Sequence, residues 1–364
     1  MEDSKDNPLV TVVIPMFNAY PFIGEMLECM IHQTYTNWEL IIVDDGSTDG
    51  CVGTVDKFAK NDARIKLIRR PENRKKGGNT CRNIGLENAN GEYIIWFDAD
   101  DLVASYCLEQ RVDFLISNKA IDIGVSPLIK FHKIPYDYNG SCIGFYPEEK
   151  VIKKFLANTP YFLVVTNIYR IQSLKEANIC WDENLKSHQD VDMNLECFYK
   201  DLRISSIPDA KIDYFWRVSG NPESVSKKIY TQSHFQTNIY YFNKQVKRFG
   251  GNTAEKKYLK LLTNYLYKIL LFQSECNWIS EFLSQPYFVI HKWLKFRLSL
   301  VNKIQKRLNI KSHIPANLLT LLLCPLFEIN YRIEIYLSDK FQKKLAKRLL
   351  DEERYGYVHD NIIS

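Results

Sequence analysis

The chain has 364 residues, more than one hydrophobic core usually supports, so we expect two structural units. Its net charge of +5 is too small to indicate a nucleic-acid-binding protein. The nine cysteines include no CxxC pair, which argues against a disulfide framework and a zinc cluster and suits a reducing cytosol.

No segment has the pattern of a targeting or membrane-spanning sequence. The first residues lack the basic and apolar regions of a signal peptide. The most apolar stretch, residues 314–327, is interrupted by Pro315, Asn317 and Pro325 and is shorter than the roughly 20 residues of a spanning helix. We expect a cytoplasmic protein, either soluble or peripheral on the inner face of the cytoplasmic membrane.

The first part of the chain alternates between strands and helices. Short, β-branched apolar runs predict strands, and apolar residues at helical spacing predict helices. The predicted strands are residues 9–14, 38–43, 65–68 and 93–97. The predicted helices are residues 21–33, 54–60 and 80–89. We therefore expect an α/β fold with a mostly parallel central sheet, in which ligands bind beyond the carboxyl ends of the strands.

The rest of the chain is first mixed and then helical in pattern. Residues 121–125 and 162–165 are further strand candidates, and after about Ser226 the pattern is helical and aromatic. We expect an α/β domain over residues 1–220, with halves of about 1–101 and 102–220. A mainly helical, basic and aromatic extension is expected over residues 221–364.

A cluster of carboxylates, Asp98-Ala99-Asp100-Asp101, follows the fourth predicted strand. Such carboxylates can bind a hard divalent cation while diphosphate oxygens complete its coordination. The cation would stabilise charge on a departing nucleoside diphosphate. The alternative is a polar turn that caps the next helix, since aspartate is a favoured N-cap.

Two further segments could bind parts of a nucleotide. Asp44-Asp45-Gly46-Ser47 could hydrogen-bond a base or ribose, or form an ordinary Asp-Gly turn. Residues 74–83 place cations and glycines before a helix N-terminus, which is typical of a phosphate-binding loop or of a solvated basic loop. Neither GxGxxG nor a Walker sequence occurs, which argues against a dinucleotide-dependent dehydrogenase.

Asp190 stands at the beginning of an apolar helical run, in the segment Ser187-His188-Gln189-Asp190. A carboxylate there could act as the general base for an acceptor hydroxyl. It could also be the N-cap of the helix, and taken alone this second interpretation is favoured.

Taken together and in this order, the segments resemble the family 2 glycosyltransferases, which are inverting enzymes of the GT-A fold. The resemblance covers about residues 9–217. Its matching segments are residues 10–18, 33–49, 82–86, 91–94 and 98–101.

The resemblance implies a role for each residue at a matching position. The implied donor nucleotide-binding residues are Pro15, Phe17, Asn18, Asp45, Arg82 and Asp98. Asp45 would contact the base, usually uracil, and Arg82 would face the diphosphate. Asp100 would be the direct ligand of Mn²⁺ or Mg²⁺. Asp190 would take the acceptor proton while the hydroxyl attacks the anomeric carbon.

The implied enzyme moves a hexose or N-acetylhexosamine from a nucleotide-diphospho-sugar, with UDP as the expected nucleotide, to a glycan or lipid-linked acceptor. Surface polysaccharide, lipopolysaccharide or glycolipid synthesis is the expected setting. Trp216-Arg217 reverses the order in the Gln-x-x-Arg-Trp signature of processive members, so we expect one sugar per encounter.

Gln189 departs from many relatives, which have a glutamate immediately before the base. A carboxylate neighbour raises the pKa of a base through like charge, so the neutral amide predicts a lower pKa for Asp190 than in those relatives. The same departure, with the long extension, motivates an alternative function: a non-catalytic nucleotide-sugar or membrane-surface binding module that retains the fold.

Residues 282–327 contain basic residues and no acidic residue. Apolar residues at helical spacing, flanked by lysines, suit a helix that lies on an anionic membrane surface. The alternative is a basic helix that packs on the α/β domain.

Overall fold

The computed structural model describes residues 7–137, 143–144, 160–218 and 232–249, with single positions at 152 and 155. By internal contacts, residues 7–152 and 160–218 belong to one compact unit, and residues 232–249 belong to another. The predicted membrane-surface segment, residues 282–327, lies outside the described residues. The division at residue 220 stays a prediction.

Four strands and three helices alternate in the first part of the first unit. The strands are β1 (Val10–Met16), β2 (Trp38–Asp44), β3 (Ile65–Arg69) and β4 (Tyr93–Trp96). The helices are α1 (Phe22–Ile31), α2 (Cys51–Asn61) and α3 (Gly78–Glu87). Each corresponds to a predicted element. Helix α2 begins at Cys51 rather than Thr54, and the Asp49 carboxylate accepts a hydrogen bond from the Cys51 backbone N–H.

The second part of the unit contains shorter strands. These are β5 (Leu102–Val103), β6 (Ile123–Val125), β7 (Leu128–Phe131), β8 (Asn167–Arg170), β9 (Ile204–Ser206) and β10 (Tyr214–Arg217). The helices are α4 (Cys107–Ser117), α5 (Ile171–Glu176) and α6 (Gln189–Tyr199). In the other unit, α7 spans Gln232–Phe249.

The strand predicted over residues 162–165 is wrong. Val164–Thr166 form a 3₁₀ turn, and the strand begins at Asn167. The Thr166 hydroxyl donates a hydrogen bond to the Leu163 carbonyl at 2.6 Å, which closes the turn. The apolar side chains of this segment are buried in a turn, a case that hydrophobicity alone does not distinguish from a strand.

The first sheet has the strand order β3-β2-β1-β4-β8-β6-β9. Only β8 runs antiparallel to its neighbours, so the mostly parallel central sheet predicted from the sequence is confirmed. The second sheet has the order β5-β10-β7, in which β10 is parallel to β7 and antiparallel to β5.

The strands at the centre of the first sheet are buried on both faces. Every residue of β2 is buried, as a continuous apolar run predicts for a covered parallel strand. Helix α3 packs closely on β1 at Gly85, where a Cβ atom would lie 2.2 Å from Cγ1 of Val13. In the described part of the chain, no helix is long and apolar enough to cross a membrane.

A buried ion pair positions the second sheet. Arg111 of α4 and Asp213, which precedes β10, are both fully buried, with 2.7 Å between Nη2 and Oδ1. The Ser126 hydroxyl donates a further hydrogen bond to the same carboxylate at 2.6 Å. Because a buried charge is costly without a partner, this pair links α4 to the residue that precedes β10.

Candidate active site

The carboxyl ends of β1, β2 and β4 meet at one edge of the first sheet. Met16 at the end of β1 is paired with Asp44 at the end of β2, and Val13 of β1 is paired with Trp96 at the end of β4. The loops after these strands carry predicted nucleotide-binding and carboxylate residues. Three segments that are separated in the chain therefore lie at the edge where open α/β sheets bind their ligands.

Hydrogen bonds join the loops after β1 and β2. The Thr48 backbone N–H donates to Asn18 Oδ1 at 2.9 Å, and the Asp45 backbone N–H donates to the Met16 carbonyl at 2.8 Å. The buried Asp45 carboxylate accepts a hydrogen bond from Nε of Arg70, a residue that the motifs did not single out. Asp45 is therefore held in a fixed position before any ligand is considered.

Pro15 and Phe17 lie at the end of β1 and just beyond it. Pro15 is paired with Val43 in the sheet and is partly exposed. Nζ of Lys76 is 4.1 Å from the centroid of the Phe17 ring. Lys76 belongs to the predicted phosphate-binding segment, so a cation of that segment contacts the loop after β1.

The three carboxylates after β4 have different surroundings. Asp101 is 2% exposed, and its carboxylate accepts hydrogen bonds from the Tyr214 hydroxyl at 2.6 Å and the Arg217 backbone N–H at 2.7 Å. Burial, together with the charges of Asp100 and Asp98, raises the pKa of Asp101 well above its usual range. Asp101 therefore anchors β10 to this turn, whereas Asp98 and Asp100 are partly exposed.

The carboxylate turn was tested for its fit to a metal ion. Among the described residues, no group of three or more His, Cys, Asp or Glu side chains could hold one. Asp98 and Asp100 offer two carboxylates, and Mg²⁺ is commonly bound by one or two carboxylates together with substrate phosphates. Their chemistry therefore fits Mn²⁺ or Mg²⁺ bound with a diphosphate. The helix-cap alternative is wrong, because β5 follows at Leu102.

Arg82 connects the carboxylate turn to α6. Its Nη2 lies 3.0 Å from Oδ1 of Asp98, and its Nη1 donates a hydrogen bond to Oε1 of Gln189 at 3.1 Å. The guanidinium carbon is 4.5 Å from the centroid of the Trp181 ring. With its side chain only 9% exposed, Arg82 is held on three sides in one orientation.

Asp190 lies in the first turn of α6, and His188 occupies the N-cap position, so the N-cap interpretation of Asp190 is wrong. Burial raises the pKa of Asp190 to about 6, the charge of Arg82 lowers it, and the charge of Asp98 raises it. Gln189 is neutral and therefore adds no negative charge that would raise the pKa of Asp190. Burial nevertheless raises this pKa above its usual value. Asp190 lies close enough to both Arg82 and Asp98 to belong to the same site.

Asparagines of α3 hold the segment that leads to α6. Asn83 Nδ2 donates to the Trp181 carbonyl at 2.9 Å, and Asn83 Oδ1 accepts from the Trp181 backbone N–H at 2.9 Å. Asn79 Nδ2 donates to the Asp182 carbonyl at 2.7 Å. Arg74 adds an ion pair to Glu183 at 3.0 Å. Helix α3 therefore carries Arg82 and also fixes the chain just before Asp190.

Charges from several segments act on the buried Cys81 thiol of α3. Burial raises the pKa of Cys81 to about 12, the charge of Asp45 raises it further, and the charges of Arg70 and Arg82 lower it. All three charged groups are therefore near one buried atom. Asp45 and Arg82 therefore both influence the protonation of this thiol.

The chain is similar in sequence to known proteins. Residues 11–176 match the family model described as glycosyl transferase family 2. The match places this part of the chain in that family. An uncharacterised glycosyltransferase of Haemophilus influenzae is 29% identical over 235 residues, which cover 64% of this chain and 88% of that protein. The uncharacterised glycosyltransferase EpsJ of Bacillus subtilis is 27% identical over 252 residues, which cover 65% of this chain and 70% of that protein.

Solved structures share the fold of this glycosyltransferase. A crystal structure of S. aureus TarS 1–349 in complex with UDP-GlcNAc has a TM-score of 0.60 at 18% identity, over 82% of this chain and 92% of that one. The mannosyltransferase PcManGT from Pyrobaculum calidifontis, in complex with GDP-Man and Mn²⁺, has a TM-score of 0.53 at 19% identity. The match covers 96% of this chain and 89% of that one. The predicted GT-A fold is confirmed.

Sequence motifs missed several residues of this glycosyltransferase site. Arg70 and Tyr214 lie outside the motifs described above, and the sequence distinguishes Arg217 only by its order relative to Trp216. Arg217 Nε donates to the Asp100 carbonyl at 2.7 Å, so it holds the carboxylate turn directly. The only sequence signal for it was a basic residue at the end of an aromatic strand.

Proposed function

We propose that this glycosyltransferase is inverting and transfers one sugar from a UDP-sugar to an acceptor hydroxyl. The observation that carries the proposal is the pair of Arg82 hydrogen bonds, to Asp98 and to Gln189. These contacts support a site that would combine Arg82 as a diphosphate-binding cation, the carboxylate turn, and Asp190, the residue that follows Gln189. Such a site has the groups needed for both leaving-group stabilisation and acceptor activation.

The donor nucleotide would bind across the loops after β1 and β2. Asp45 would accept a hydrogen bond from the base, while Pro15, Phe17 and Asn18 line the same edge. Arg82 would pair with the diphosphate. The complexes of TarS with UDP-GlcNAc and UDP support UDP as the nucleotide.

Asp100 would hold Mn²⁺ or Mg²⁺ together with the diphosphate, and Asp98 would contribute beside it. When bound, the ion neutralises negative charge on the departing diphosphate. The Mn²⁺ in the PcManGT complex supports a metal requirement. Arg82 and the carboxylate turn would orient the diphosphate in line with the acceptor.

Asp190 would act as the general base. With a pKa of about 6 it is largely ionised at neutral pH and remains basic enough to accept a proton. The acceptor hydroxyl gives its proton to the Asp190 carboxylate, and its oxygen bonds to the anomeric carbon as the bond from that carbon to the diphosphate oxygen breaks. The single displacement inverts the anomeric centre.

The biological setting would be synthesis of a surface polysaccharide, lipopolysaccharide or glycolipid, with a glycan or lipid-linked acceptor. Similarity to EpsJ, and to a putative teichuronic acid biosynthesis glycosyltransferase, TuaG, of Bacillus subtilis over 109 residues at 37% identity, supports this setting. Transfer would be non-processive and would take place in the cytoplasm or at the inner membrane face.

The proposal is tested by thermal unfolding with UDP, GDP, CDP and dTDP, each with and without Mn²⁺. A ligand at about 100 times its dissociation constant stabilises the native state by roughly 2.7 kcal/mol. We expect a metal-dependent increase in Tm with UDP, its loss in Asp100→Asn, and its retention in Asp113→Asn on the exposed side of α4. The second measurement is turnover of UDP-sugars, which we expect to occur. UDP binding without any turnover would instead support the non-catalytic binding module.

A further inference from the structure

Two faces of the second sheet have different surroundings. Tyr214 of β10 and Leu128 of β7 belong to the large core beneath the first sheet, whereas Phe215 and Ile129 belong to a separate small core. Because side chains alternate along a strand, the face of Tyr214 also carries the residue two positions further on, Trp216. This is the face that reaches the carboxylate turn, since the Tyr214 hydroxyl lies 3.3 Å from the Asp98 backbone N–H.

Lys130 and Trp216 form a pair at the end of this face. They are register partners in the parallel pairing of β7 and β10. Nζ of Lys130 is 4.7 Å from the centroid of the Trp216 ring. Both side chains are only partly exposed. The next residue, Arg217, donates its backbone N–H to Asp101, so the pair lies beside the turn that holds Asp98 and Asp100.

The charge of Lys130 is not balanced by a carboxylate in the part of the chain that the structure describes. Burial lowers the pKa of Lys130, and burial is the sole cause of that shift. Contact with an aromatic face offsets part of the cost of burying the ammonium group. A buried cation gains most from an anionic partner, and the described residues supply none.

We infer that Lys130 and Trp216 form an acceptor subsite for a glycan that carries an anionic group. Lys130 would pair with a phosphate or carboxylate of the acceptor, and Trp216 would supply apolar surface for its sugar ring. The subsite lies on the second sheet, away from the nucleotide loops after β1 and β2. The inference rests on the proposed function, because it concerns the acceptor of the same reaction.

The test measures equilibrium binding of the full chain to three soluble oligosaccharides at about 0.15 M salt, where long-range charge effects are screened. The probes are an oligogalacturonate, an oligo(glycerol phosphate) and a neutral malto-oligosaccharide. We expect an anionic probe to bind more tightly than the neutral one. Preference for one of the two anionic probes identifies carboxylate or phosphate as the recognised group.

Lys130→Met should weaken binding of the preferred anionic probe by about 10- to 100-fold, as loss of a charged hydrogen bond predicts. Lys211→Met is the matched control, because it removes the same charge from another lysine that contacts an aromatic ring, that of Tyr106 at 5.1 Å. Lys130→Arg should retain binding, and Trp216→Leu should weaken it. The Tm increase with UDP should be unchanged in Lys130→Met, which also shows that the variant is folded.

Three results would overturn the inference: equal weakening in Lys130→Met and Lys211→Met, equal binding of anionic and neutral probes, or no binding of either anionic probe. The proposed function fails by a different result, namely no nucleotide response and no turnover of UDP-sugars. The two failures are therefore distinguishable.

Discussion

Arg82 donates a hydrogen bond at 3.1 Å to Gln189, which lies 107 residues further along the chain. The other terminal nitrogen of Arg82 lies 3.0 Å from Asp98. The guanidinium thus contacts one carboxylate and two neutral amides, those of Gln189 and Asn79. A second carboxylate in place of Gln189 would neutralise more of its charge, so the amide preserves positive potential where we propose that a diphosphate binds.

The first prediction concerns the charge at position 189. Gln189→Glu should raise the pKa of Asp190, because a carboxylate adds like charge and also pairs with Arg82, whose charge lowers that pKa. The acid limb of kcat/KM against pH should therefore move to higher pH. Gln189→Met is the control, since it removes the hydrogen bond without adding charge. An acid limb that stays in place or moves to lower pH contradicts the prediction.

The second prediction concerns the charge of Asp190. Its pKa is raised from 3.8 to about 6 on folding, so the native state binds more protons than the unfolded state between these values. Stability contributed by the protonated group is present below pH 4 and is lost as pH rises through 6. Asp190→Asn should therefore be more stable than the wild type at pH 7.5 by about 1–2 kcal/mol, and no more stable at pH 4.

Urea unfolding at the two pH values measures this difference. The same variant should lose transfer activity by about 10²- to 10⁴-fold, as expected for removal of a general base. Asp113→Asn, at an exposed position of α4, should change neither stability nor activity. If Asp190→Asn is destabilised at pH 7.5, the carboxylate is not held in an unfavourable environment.

The third prediction concerns the clamp between α3 and the segment before α6. Asn83→Ala should lower the free energy of unfolding by about 2–4 kcal/mol, because both the N–H and the carbonyl of Trp181 lose their hydrogen bonds to the Asn83 side chain. Activity should fall beyond the loss of folded protein, since this segment positions Asp190. Asn88→Ala, near the end of the same helix, removes one bond to the Ile84 carbonyl and should cost less. Equal effects of the two variants on activity would argue against the clamp.

The fourth prediction concerns the contact between α3 and β1. Gly85→Ala should destabilise the protein, because its Cβ would lie 2.2 Å from Cγ1 of Val13 on a buried strand. Gly53→Ala should be neutral or stabilising by up to about 1 kcal/mol, since no atom lies within 4 Å of its Cβ and alanine favours a helix. Adding Val13→Ala should partly restore the stability of the Gly85→Ala variant, because it removes the methyl groups that the new Cβ would meet. Thermal unfolding measures the stability of all these variants. If the stability changes of Val13→Ala and Gly85→Ala simply add in the double variant, the two side chains do not clash directly.

The alternating strands and helices could be predicted because each follows from local periodicity. β2 contains an apolar run at residues 40–43 and is buried throughout, and β1, β3 and β4 are also short strands rich in apolar residues. The segment over residues 162–165 could not be predicted, because burial in a turn and burial in a strand produce the same composition. The turn is defined by the backbone hydrogen bond from the Thr166 N–H to the Leu163 carbonyl, and the Thr166 hydroxyl donates to the same carbonyl.

The candidate residues could be named from the order of the motifs, but their surroundings could not. Asp98, Asp100 and Asp101 look equivalent in the sequence, and only the position of Tyr214 on another strand makes Asp101 a buried anchor. The sequence predicts only that the pKa of Asp190 is lower than in relatives with glutamate at position 189, and it does not reveal the burial that raises this pKa to about 6. Burial depends on every element that packs around a residue, which a sequence neighbour does not reveal.

The sequence by itself determined the fold class, the edge of the sheet that carries the site, and the carboxylates that could take part, because strand periodicity and strand-end chemistry are local properties. Tertiary structure alone decided that Arg82 contacts both Asp98 and Gln189, that Asn83 holds the chain before Asp190, and that Lys130 lies against Trp216. Each of these relationships joins residues distant in sequence, and their distances are set by the packing of helices on two sheets rather than by any local preference of the chain.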